Sequence, residues 1–112
     1  MKEMYIGNNY QVSVKLYNDF WVHEQFIDEK SAKDFANEAY TQMGAVIVEL
    51  MKRHREGGYI SIKKVTQNKL VAISKRVAYL QCKYEADEKK GIKVYDGEFE
   101  NLKKIIANIN AE

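Results

Sequence analysis

Apolar residues recur at three- and four-residue intervals from Ala32 through Phe35, Ala36, Ala39, Met43, Val46, Ile47, Leu50 and Met51, a spacing that places them on one stripe of an α-helix. The pattern predicts a long central helix from about Ser31 to Arg55. Ser31 is its expected cap, with Asp34 in place of the Glu or Gln of a capping box, and Asp28 and Glu29 suit the positive end of the dipole. Lys52, Arg53 and Arg55 suit the negative end, and Gly57 can adopt the left-handed conformation that stops a helix. A rival reading ends the helix at Met43. In it, Gly44 breaks the helix and the β-branched run Val46-Ile47-Val48 lets Ala45 to Arg53 pair with Tyr59 to Val65 through a Glu56-Gly57-Gly58 turn. The continuous helix is preferred because the stripe keeps phase across Gly44, and one helical glycine costs only about 1 kcal/mol.

Before the helix, Val12, Val14 and Leu16 alternate with polar residues, and Val22 and Phe26 do so after Asn18-Asp19, which predicts a β-hairpin over 10–27. A three-residue loop, Tyr17 to Asp19, pairs Leu16 with Phe20 and Val14 with Val22, whereas a two-residue loop would set Val14 against His23. The longer loop is preferred. It gathers Lys15, Tyr17, Trp21, His23 and Gln25 on the face opposite the aliphatic residues. After Gly58, Tyr59 to Val65 alternates as a strand, Thr66-Gln67-Asn68 reads as a turn, and Leu70 to Ser74, Arg76 to Glu85 and Ile92 to Tyr95 read as further strands. Leu70, Ile73, Val77, Leu80 and Tyr84 fit a helical stripe as well, so 69–85 stays open to a helix. Asp96 can cap a last helix whose apolar face, Phe99, Leu102, Ile105, Ile106 and Ile109, is expected to dock on the sheet. The expected architecture is one α+β domain spanning 1–112, in the order ββαββββα.

Composition narrows the class. With 46% hydrophobic and 30% charged residues among 112, the chain has enough apolar surface to fold as one globular unit without metal or disulfide. Cys82 is the single cysteine, which excludes an internal disulfide and a thiolate zinc cluster. The longest aliphatic run, Ala45 to Val48, is too short for a membrane span, and the first ten residues lack a signal-peptide core. A soluble, cytoplasmic protein is therefore expected. Fifteen lysines against three arginines, with frequent Ile, Asn and Tyr, suggest an AT-rich gene, such as that of a low-GC bacterium or its phage.

Charge is more informative in its distribution than in its net value of +2. Segments 1–51, 52–83 and 84–112 carry −4, +8 and −2, so the middle third is basic between acidic flanks. Lys52, Arg53, Arg55, Lys63, Lys64, Lys69, Lys75 and Arg76 form the candidate basic site, with Arg53 and Arg55 expected close to Lys63 or Lys64 across the Gly57-Gly58 turn. Such residues suit phosphates or an acidic protein surface. Tyr17, Trp21 and His23 form a second, aromatic candidate.

Catalytic candidates are weaker. His23 and His54 have no third ligand at metal-site spacing, Asp28, Glu29, Asp34 and Glu38 suit a helix's first turns, and Cys82 has no nucleophile signature around it. No catalytic residue, metal or cofactor is expected. The sequence thus favours a small non-enzymatic module whose segment 52–83 binds nucleic acid or another polyanion without base specificity. The alternative is a protein-binding inhibitor or adaptor, of the kind that phages direct at host systems.

Overall fold

The computed structural model describes residues 8–92 and 96–110. Strands β1 (Tyr10–Leu16), β2 (Trp21–Phe26), β3 (Ala45–Arg53) and β4 (Tyr59–Thr66) form one antiparallel sheet in the order β2-β1-β3-β4. Helices α1 (Glu29–Gln42), α2 (Lys69–Lys89) and α3 (Gly97–Asn110) complete it, giving a small α+β domain in the order ββαββαα. No helix among the described residues is long and apolar enough to cross a membrane.

The hairpin has the register that alternation requires, with Val14 opposite Val22 and the Leu16 N–H donating to the Phe20 carbonyl at 2.8 Å. The left-handed Asp19, at φ 71°, closes its turn.

The long central helix is corrected. α1 ends at Gln42 because Gly44 takes φ 79°, and a Cβ there would stand 2.7 Å from the Tyr17 ring. Its first residue is Glu29, with Asp28 rather than Ser31 in the cap position. Beyond Gly44 the β-branched run is extended, and Ala45–Arg53 pairs with both β1 and β4. Gly57 and Gly58 turn the chain between β3 and β4, both at positive φ.

The strands expected over 70–74 and 76–85 are corrected as well, since this stretch is helix α2. Asn68 caps it at φ −60°, accepting from the Leu70 N–H at 2.7 Å instead of sitting in a hairpin turn. Ile92 lies outside any strand, and the rest of the strand expected to Tyr95 falls outside the described residues. Asp96 does cap α3, accepting from the Glu98 N–H at 2.9 Å. That helix docks on α2 rather than on the sheet.

Two cores result. Val12, Val14, Ala45, Val48 and Leu50 are buried under α1, where Ala32 and Ala39 let the helix approach closely and Phe35 meets Phe26 with ring centroids 5.4 Å apart. Ile73, Leu80 and Leu102 form the second core between α2 and α3, flanked by Val77, Phe99, Ile106 and Tyr17. Arg76 joins the two. Its Nη1 donates to the Gln42 carbonyl at the end of α1 (3.0 Å), while Nη2 and Nε donate to the two Glu98 oxygens (3.0 and 3.3 Å). The Tyr17 hydroxyl donates to the same carboxylate at 2.8 Å. Burial pushes the Glu98 carboxyl up, but hydrogen bonds from Arg76 and Tyr17 outweigh it and hold it below the usual carboxylate range. Burial, together with Glu98, pushes the Tyr17 hydroxyl up to about 12.

Candidate functional site on the bare face of the sheet

Alternation along each strand, broken on β4 by one extra residue at Ile62, assigns every second side chain to the face away from α1. Cross-strand register arranges these residues in three rows: Gln25, Gln11, Met51 and Ser61; His23, Ser13, Glu49 and Lys64; and Trp21, Lys15, Ile47 and Thr66. Beyond the first row, Arg53 stands opposite Tyr59. α1 packs on the other side, α3 packs on α2, and α2 meets the sheet at β3; Trp21, His23, Gln25, Ser61, Lys64 and Thr66 are exposed, whereas Ser13 is buried.

The face is built for recognition more than for packing. Trp21 is 49% exposed and stacks on His23, with centroids 5.9 Å apart and planes inclined by 2°. That leaves a flat aromatic surface in solvent. Beneath it, His23 Nδ1 and Ser13 Oγ are 2.8 Å apart, Gln11 Nε2 donates to the same hydroxyl at 3.2 Å, and Gln25 Nε2 donates to Gln11 Oε1 at 3.3 Å. This network holds the imidazole and so fixes the stacking platform. Lys15, half-buried, lies 3.6 Å from the exposed Asp19, a solvent-facing partner that another anion can replace. Lys64 is exposed opposite Glu49.

A serine hydroxyl beside an imidazole invites comparison with a nucleophile and its base. Ser13 is only 4% exposed, and its oxygen is engaged by both Gln11 and His23. Among the described residues no carboxylate orients His23, and no group of three His, Cys, Asp or Glu side chains is placed to hold a metal ion. Among the described residues the arrangement presents an aromatic surface flanked by charged side chains.

The structure divides the residues singled out from the sequence. Trp21 and His23 are brought together, whereas the Tyr17 side chain turns from them into the second core, where it meets Glu98. The basic run is dispersed. Lys64 and Arg53 are on the bare face, Lys52 and Lys63 are in register with the α1 side, and Arg55 and Lys69 are exposed in the β3–β4 turn and at the start of α2. Lys75 packs over the Tyr40 ring at 4.1 Å and donates to Gln67 Oε1 at 2.8 Å, and Arg76 is held by Glu98. Nor do the arginines meet Lys63 and Lys64 across the turn: Lys63 lies opposite Leu50 and Lys64 opposite Glu49, partway down the strand. Sequence reading missed Gln11, Ser13, Glu49 and Met51. The first two were legible as alternate residues of β1, but the others became visible only once 45–53 is a strand. Compared with family models, with curated proteins and with solved structures, the chain matches none.

Proposed function

We propose that the protein is a small non-enzymatic module that binds single-stranded nucleic acid across the bare face of its sheet. The carrying observation is Trp21, half-exposed and stacked on His23 on the sheet face opposite α1. Every base offers a π-face, so a stack on Trp21 tolerates any sequence and contributes about 1–3 kcal/mol. Lys15, Lys64 and Arg53 flank the platform as phosphate partners. A duplex keeps its bases stacked inside and cannot present them to a flat sheet. The reading therefore favours single strands and draws on only part of the basic middle third.

The test is fluorescence anisotropy with a labelled oligonucleotide of about a dozen nucleotides, single-stranded or annealed, across a salt series. Salt-steep binding of the single strand, weaker for the duplex, supports the reading. Absence of binding at low salt removes it.

Phe20 favours a second reading, binding to a protein. It is 67% exposed at the hairpin tip beside Trp21, and exposed aromatics of this kind anchor protein interfaces. Under that reading Phe20→Ala abolishes capture of the partner, whereas oligonucleotide affinity does not depend on Phe20.

A further inference from the structure

α1 packs on β1, β2 and β3, and beside it a groove of about 520 Å3 runs between the helix and β4. Val48, Leu50 and Val65 from the sheet and Tyr40 from α1 line it, with Lys63 on the strand and Lys33 on the helix as its cations. Lys33 has an exposed partner in Glu29 at 3.5 Å, a weak pairing that another carboxylate can replace. The groove adjoins a free sheet edge. β4 pairs only with β3, so among the described residues its outward backbone N–H and C=O groups have no strand to meet them, with the regular spacing broken once at Ile62, the extra residue where the register shifts opposite Leu50 and Met51.

Along that edge Ile60 and Ile62 are 52% and 47% exposed, and Tyr59–Thr66 contains Lys63 and Lys64 but no acidic residue. The two lysines sit at neighbouring positions and therefore on opposite faces of the sheet, Lys63 toward the groove and Lys64 toward the bare face. A second copy paired edge to edge in the register that sets Lys63 opposite Lys64 would bring ammonium groups against ammonium groups. An acidic strand meets both demands of the edge. Consecutive carboxylates on an extended segment also project to opposite faces, so an acid pair flanked by aliphatic residues matches Lys63, Lys64 and the isoleucines together.

We propose that β4 is a receptor edge for an extended acidic segment of a partner protein, which adds as a fifth strand and lays alternate side chains over the α1–β4 groove. This site meets the bare-face platform at Lys64, which both would use, whereas Lys63 and the β4 backbone belong to the edge alone. The segment's affinity comes from main-chain hydrogen bonds, and its selectivity from the carboxylate pair.

The probe is a fluorescein-labelled decapeptide with Glu-Glu at its centre and Val, Ile and Thr on either side, titrated against the full chain by anisotropy. A second peptide carries N-methyl groups on the alternate amides that would face β4. Strand addition predicts roughly tenfold or greater loss on N-methylation, because two or more hydrogen bonds disappear. It also predicts weaker binding to K63Q/K64Q whose circular dichroism is unchanged, slower exchange of the β4 amide protons in the complex, and no effect of Trp21→Ala. Equal binding of both peptides, or unaltered β4 exchange, overturns the proposal without touching the nucleic-acid reading. Self-association of the chain that protects β4 also overturns it, in favour of an interface between copies.

Discussion

On the α1 side of the sheet, Val12, Val14, Val48 and Leu50 are buried and contribute to the core, while one position along each strand Gln11, Ser13, Lys15 and Glu49 face away from it. Both sets lie on the same strands and share the same backbone hydrogen bonds. They differ only in parity, and a one-residue slip of β1 against β3 would exchange them. The buried valines therefore fix the register that brings His23 beside Ser13 and Trp21 beside Lys15. Stability and recognition are assigned to alternate residues, so mutation can separate them.

The largest effect is expected on the covered face. Leu50→Asp places a charge in the main core and should cost about 3–5 kcal/mol, enough to unfold a domain of ordinary stability. Glu49→Ala, its immediate neighbour, should melt within about 0.5 kcal/mol of wild type. Urea unfolding followed by circular dichroism measures both, and equal effects would break the distinction between the faces.

Arg76→Ala comes next, at about 2 kcal/mol, because it leaves Glu98 and the Gln42 carbonyl without their donor in a partly shielded joint. The same joint sets an acid limit. Glu98 titrates below its ordinary value, so its contribution is present above the usual carboxylate pKa of about 4.3 and is lost as pH falls through the lower folded value. The gap between wild type and Arg76→Ala should accordingly shrink from pH 7 toward strong acid. Tyr17 carries the opposite sign. Its raised pKa stabilises the fold below pH 10 or so, and that contribution is lost as pH climbs toward about 12.

On the bare face the effects move from stability to binding. Trp21→Ala should leave the melting temperature nearly unchanged while reducing affinity for single strands by about 1–3 kcal/mol. Lys64→Gln should act more weakly, lowering the salt slope by about one phosphate contact. A drop in melting temperature that matches the loss of affinity would show that the bare face is covered and structural after all.

The hairpin was legible because Val12, Val14 and Leu16 alternate with polar residues, and the two-residue loop would have put Val14 and Val22 on opposite faces. Residues 45–53 and 69–85 were ambiguous for a physical reason. Ala45-Val46-Ile47-Val48 is apolar at every position, so it satisfies a period of 3.6 as well as burial on a sheet, and periodicity alone cannot separate them. What decides is the left-handed Gly44, whose room is filled by the Tyr17 ring, a contact 27 positions away in the chain. Over 69–85 the deciding signal was local: Asn68 as a cap and the stripe Ile73, Val77, Leu80. The aromatic half of the candidate site followed from hairpin parity. The rest of that face did not, since Glu49 and Met51 join it only once 45–53 is strand β3, and Lys64 only through pairing with that strand. Nor could the sequence show that Arg76 is committed to Glu98, 22 positions away, and unavailable to an anion.

Trp21 is the chain's one tryptophan, so its fluorescence reports on the bare face with no background from other indoles. Titrating the native protein with single-stranded oligonucleotide at low salt should quench that emission in a saturable way. Raising the salt should reverse the quenching, and the annealed duplex should produce less of it. Anisotropy of the labelled strand should rise along the same curve. Binding seen by anisotropy with Trp21 emission unchanged would contradict the account, because the nucleic acid would then sit elsewhere and the stacked Trp21–His23 pair would not be its platform.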